Sequence, residues 1–270
     1  MDGLCRLVSN HRTLAKVIFS VLLLIDLVCL MPQKSLTLIG LILIALILLF
    51  IEFVFIDNCY VQLLKKPGKL LNDYCDPYPY LGQTELLLTY KLTDMAHQLL
   101  LMDQAAMLLA LGKEQEAYDT LTSMNIDKYS GILPVYKASY YNNLACSCLL
   151  LNKNEEARIW FDKSQLIEHD IRNPKMKKLL AWEQSTTYAE LLYNEGNYTE
   201  ALDVLSEVQA ETLQQKVSYA MLLGKLFVAS KDYSKAAEYL NFVCINGNRM
   251  HAVTEAKSLL EKLKNSEISC

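Results

Sequence analysis

Four short polar turns recur between apolar-periodic segments, and they restrict the possible fold more than any other feature of the chain. They are Gly112-Lys113-Glu114-Gln115-Glu116-Ala117, Asn152-Lys153-Asn154-Glu155-Glu156-Ala157, Gly196-Asn197-Tyr198-Thr199-Glu200-Ala201 and Lys231-Asp232-Tyr233-Ser234-Lys235-Ala236. The closing alanines lie 40, 44 and 35 residues apart. A helix–turn–helix unit of this length cannot bury its apolar face alone, so neighbouring units must stack. The columns agree. Twelve residues before each alanine stand Ala105, Ala145, Ala189 and Gly224, all small. Four after it stand Leu121, Phe161, Leu205 and Leu240, all bulky, and nine before it stand Leu108, Cys148, Leu192 and Phe227. Strand signals are absent beyond residue 84, which predicts an all-α chain built as an α-solenoid. Met250–Leu263 reads as one amphipathic helix with Ala252, Ala256, Leu259, Leu260 and Leu263 inward, covering the open face of the last repeat.

The first part of the chain has a different composition. Apolar residues make up 52% of the whole, and the excess lies before residue 57. The run from 36 to 56 is 21 residues, about 31 Å as a helix, close to the bilayer's hydrocarbon thickness. The run over 14–31 is a shorter second span, with Pro32-Gln33-Lys34-Ser35 as the turn between them. This pattern predicts a two-helix transmembrane hairpin over residues 1–56 and a juxtamembrane connector over 57–83. A repeat domain over 84–264 and a tail over 265–270 would follow. Arg6, Arg12 and Lys16 precede the first span, and Lys65, Lys66 and Lys69 follow the second. By the positive-inside rule both termini are expected in the cytoplasm, as in a bacterial plasma-membrane protein with two spans. Lys16 and Glu52 would lie at one depth, and Asp26, without a basic partner, would be protonated, near the outer surface or bonded to another membrane protein.

Residues 95–245 resemble tetratricopeptide repeats on the strength of those columns. The early aromatic of the first helix survives only as Tyr141, against Leu101, Ser185 and Ala220. The inter-repeat proline is displaced into the longer connectors as Pro134 and Pro174. The resemblance implies that a protein or peptide partner binds along the concave face of the first helices. On that face the candidate groove residues are Asn142, Glu183, Thr186, Glu190, Tyr193, Asn194 and Lys225. Glu183 and Glu190 have the wrong sign for a clamp on C-terminal carboxylates, so a basic or mixed ligand is expected.

Charge narrows the partners further. Residues 1–71 carry seven basic and four acidic side chains, net +3, and the rest carry 19 and 26, net −7. The acidic body argues against nucleic acid, which needs a basic footprint. The eight cysteines form no CxxC pair and read as buried thiols rather than a disulfide framework. His11, His97, His169 and His251 are scattered, and no phosphate loop or nucleophile elbow occurs. Neither catalysis, a cofactor nor a metal is expected. The chain therefore reads as a membrane-anchored adaptor that gathers a protein or peptide partner at the lipid bilayer. The alternative is an accessory subunit of a transport or envelope-synthesis complex, contacting its core subunit through the hairpin.

Overall fold

The computed structural model describes residues 2–30, 38–128 and 133–268. Among them there is helix and no strand, in the order α1 (Asp2–Asn10), α2 (Arg12–Leu30), α3 (Leu38–Tyr74), α4 (Tyr78–Leu88), α5 (Asp94–Ala110), α6 (Glu114–Ser123), α7 (Pro134–Leu150), α8 (Asn154–Ile167), α9 (Pro174–Asn194), α10 (Tyr198–Ser206), α11 (Leu213–Ala229), α12 (Tyr233–Asn246) and α13 (Ala252–Ile268). The all-α architecture is consistent with a helical solenoid.

The four recurring turns join α5 to α6, α7 to α8, α9 to α10 and α11 to α12, with one shared geometry. In each, one residue takes a left-handed backbone: Gly112 at φ +71°, Asn152 at +59°, Gly196 at +82° and Lys231 at +62°. The next N–H, from Lys113, Lys153, Asn197 or Asp232, reaches back to the carbonyl of Leu108, Cys148, Leu192 or Phe227 at 2.8–3.0 Å. That six-residue closure satisfies a carbonyl that the helix end would leave unpaired. Ala117, Ala157, Ala201 and Ala236 are fully buried behind the turns, and Leu121, Phe161, Leu205 and Leu240 are buried over them. The small column is equally tight. A Cβ on Gly224 would stand 2.7 Å from Leu240 Cδ2, so α11 and α12 approach only because no side chain intervenes.

Hydrogen bonds stitch each hairpin to the next. Tyr140 donates its hydroxyl to the carbonyl of Leu121 at 3.1 Å, and Tyr219 does the same to Leu205 at 3.2 Å. Rings stack across the helices at Tyr141–Trp160, Phe161–Tyr188 and Phe227–Tyr239. The two longer intervals hold short 3-10 turns at Ile126–Lys128 and Glu168–Asp170. Pro134 and Pro174 open α7 and α9 rather than sitting in the connectors, where a missing N–H costs nothing. α13 closes the array as expected, with Ala256 and Leu263 buried against α11 and α12. It runs on to Ile268, past the expected end.

The N-terminal part departs from the sequence reading. Among the described residues no helix is long and apolar enough to cross a membrane. This overturns the expected two-span hairpin and the integral-membrane location with its cytoplasmic termini. Part of the apolar pattern instead serves the protein's own core. Cys5 and Val8 of α1 and Ala15 of α2 pack with Ile56, Cys59, Tyr60, Leu63 and Leu64 of α3. They enclose Leu87 of α4 and Ala96 and Leu100 of α5. Nor is 57–83 a separate connector: α3 continues through Pro67 to Tyr74, and α4 starts at Tyr78 with proline in its first turn. Among the other described apolar side chains of α2 and early α3, Val17, Val21, Ile47 and Phe50 are exposed while Leu23 is buried.

The end of α3 also meets the far end of the array. Cys75 is fully buried among Val217, Ala220 and Met250. Its carbonyl accepts the N–H of Arg249 at 3.3 Å, while Asn248 Nδ2 donates to the carbonyl of Tyr74 at 2.8 Å. The N–H of His251 bonds the carbonyl of Ala110 at 2.9 Å, and Arg249 pairs with Asp76 at 3.6 Å. First and last hairpins are thus joined through the α3–α4 corner and the α12–α13 turn.

Candidate functional site

The inner face is built by α7, α9 and α11, whose side chains meet in register. Ser139 on α7 donates its hydroxyl to Glu183 Oε2 on α9 at 2.9 Å. Glu190, two turns further along α9, accepts from Lys225 Nζ on α11 at 3.0 Å. The offsets, 44 and 35 residues, equal the last two turn intervals, so these are equivalent positions in neighbouring hairpins. Between them Cys146 Sγ lies 3.2 Å from Thr187 Oγ1.

Five of the seven expected groove residues come together here. Asn142 is 3% exposed, its Nδ2 lies 3.9 Å from Cys146 Sγ, and its Oδ1 accepts no hydrogen bond from the protein. Glu183, Glu190 and Lys225 line the same face, with the Lys225 ammonium 5.2 Å from the centre of the Tyr193 ring. The other two bond elsewhere. Thr186 donates its hydroxyl to backbone carbonyls of its own helix, and Asn194 donates to Asn154 Oδ1 at the start of α8. Ser139, Thr187 and Glu255 belong to the face and were missed. Thr187 was findable, because Glu183, Thr187 and Glu190 have i, i+4, i+7 spacing. Ser139 was findable only once the 44-residue register was laid on the first helices. Of the expected intramembrane contacts, Lys16 is partly buried on α2. The side chains of Asp26 and Glu52 lie outside the described residues.

Electrostatics separates the charged groups. Burial alone would lower the Lys225 ammonium, but Glu190 and Glu255, the latter 3.6 Å away, hold it above its ordinary value. That ion triad is compensated. Glu183 is not: burial pushes its carboxyl up to about 7, offset only in part by the Ser139 hydroxyl. It has no ion pair among the described residues. Burial likewise pushes the Cys146 thiol up to about 12, which keeps it protonated and unreactive at neutral pH.

A second concavity of about 630 Å³ opens between α3, α4, α5 and the start of α7, with Tyr60, Lys65, Lys69, Tyr80, Asp103 and Tyr136 in its wall. Tyr80 donates its hydroxyl to Asp103 Oδ2 at 3.0 Å. Among the described residues no His, Cys, Asp and Glu cluster suits a metal ion.

Compared with family models, curated proteins and solved structures, the chain matches none.

Proposed function

We propose that this chain is an interaction protein whose inner helical face receives a basic segment of a partner protein. The observation that carries the reading is Glu183, a partly buried carboxylate with one hydroxyl donor, Ser139, and no counter-charge among the described residues; Asn142, one turn along α7 from Ser139, has an unpaired acceptor. A buried charge without a partner is costly, and a lysine or arginine side chain would supply both the charge and the donors. The neighbouring triad is acidic in sum, two carboxylates to one ammonium, which attracts the same kind of ligand. The shared turns and stacked columns support treating residues 95–245 as tetratricopeptide-like repeats, whose inner faces serve this role. The adaptor reading keeps the interaction half of the sequence expectation; the bilayer anchor and the membrane-complex alternative are not carried forward.

Fluorescence anisotropy of the full chain with labelled peptides of basic, uncharged and acidic composition tests the reading. The basic peptide should bind, weaken as salt rises, and lose about tenfold in affinity in Glu183→Gln. Equal binding of the acidic peptide, or an unchanged affinity in Glu183→Gln, would refute it.

A further inference from the structure

The concavity beside α3 shares none of the inner-face residues and has its own charge pattern. On α3, Lys65, Lys69 and Asp73 follow one side of the helix and Tyr60 adds a ring to the same wall; Tyr80 of α4, Asp103 of α5 and Tyr136 of α7 complete the lining. The Tyr80 ring lies against Gly68 of α3, 3.4 Å from where a Cβ would stand, an ordinary contact distance. The ring's hydroxyl then reaches Asp103. Asp103 makes no ion pair among the described residues, although lysines line the same wall: none comes within 4.0 Å of it. Its carboxyl, pushed up to about 6 by burial, is held by the Tyr80 hydroxyl alone. Tyr60 and Tyr136 complete an aromatic wall that favours an organic cation. Lys65 and Lys69 are exposed at the mouth, and with Asp73 and Asp103 they bring the lining to net zero. A purely cationic ligand would meet two like charges there, and a purely anionic one would meet Asp103. A volume of about 630 Å³ lies within the usual range for small-molecule sites.

We propose that this cleft is a binding site for a small zwitterion of the ω-amino-acid class. The ammonium donates to Asp103 among the three tyrosines, and the carboxylate lies toward Lys65 and Lys69. Asp103 stands more than 4.0 Å from both lysines, so a ligand whose two charges are held apart by a spacer reaches both ends of the cleft. A chain of several methylenes would lie against Leu64, Leu99 and Met102.

The test is isothermal titration of the full chain with 6-aminohexanoate, hexylamine and hexanoate. 6-Aminohexanoate should bind more tightly than either single-charge probe. Asp103→Asn should weaken 6-aminohexanoate and hexylamine by at least about tenfold and leave hexanoate unchanged. Lys65→Ala/Lys69→Ala should reduce 6-aminohexanoate to the level of hexylamine. The asparagine is near-isosteric, keeps an acceptor for Tyr80, and its helical circular dichroism should match the parent. Hexylamine binding as tightly as 6-aminohexanoate would overturn the zwitterion assignment. An affinity unmoved by Asp103→Asn, or no binding of any probe at millimolar concentration, would overturn the site.

Discussion

Glu183 shows how one side chain joins stability to function. In the fold its carboxyl keeps its proton up to about pH 7, against 4.5 for the ordinary side chain. The native state therefore binds more protons than the unfolded chain between those values, and charging Glu183 destabilises the fold. Stability should fall as pH rises from 4.5 through 7, and the loss should persist above 7. Glu183→Gln removes the charge while keeping an acceptor for Ser139. It should gain about 2 kcal/mol at pH 8 and nearly nothing at pH 4. Denaturant titration at both pH values checks this, and an equal gain at both would show that burial of charge is not the cause. Such a trade is common at binding positions, where a group is kept for a ligand at a cost to the free protein. Lys225 behaves in the opposite way. Replacing it with methionine strands Glu190 and Glu255, and should cost about 3 kcal/mol. Adding Glu190→Gln should recover part of that loss in a double-mutant cycle.

Among the elements, the hairpin turns were the most legible in the sequence. Their polar residues and the small, apolar and alanine columns gave the register, and Ala105, Ala145, Ala189 and Gly224 lie where that register puts them. The left-handed residue of each turn has a measurable consequence. Gly196 needs φ +82° and has open space where a Cβ would project, so Gly196→Ala isolates backbone strain and should cost about 1 kcal/mol. Lys231 takes φ +62° with a side chain, so Lys231→Gly should stabilise by up to about 1 kcal/mol. Thermal melts of the two variants should move in opposite directions; a shift of the same sign would mean that the turns do not share this geometry. The N-terminal elements were less legible for a physical reason. A run of apolar residues satisfies the requirement of a bilayer and that of a protein core alike, and hydropathy cannot tell which atoms will cover it. Cys5 and Val8, in the basic segment before the expected first span, are the complement of Ile56, Cys59 and Leu63. The expected connector likewise begins inside α3, which passes through Pro67 and Gly68 to Tyr74. The groove was half-legible for a related reason. Periodicity assigns a helix face to within about one turn, so it points to Thr186 and passes over its neighbour Thr187, whose hydroxyl meets Cys146.

For the whole molecule, α3 is the element that decides whether the chain behaves as one unit or two. Its middle packs on α1, α4 and α5, and its end is buried beside α11 while the following corner bonds the α12–α13 turn. A solenoid open at both ends can lose repeats one at a time, whereas an array joined end to end through one long helix has no free terminus from which to fray. Leu63→Ala tests this from a distance. Leu63 is buried in the N-terminal cluster, and truncating it should cost about 2–5 kcal/mol. Both tryptophans, Trp160 and Trp182, lie on α8 and α9, so their fluorescence reports only the array, whereas circular dichroism reports every helix. If α3 couples the two regions, Leu63→Ala should lower both midpoints by the same amount, and the two signals should trace a single transition. A fluorescence midpoint that stays in place while circular dichroism shows an earlier step would mean that the array folds without the N-terminal helices. The closure by Cys75, Asn248 and Arg249 would then be a contact between independent bodies.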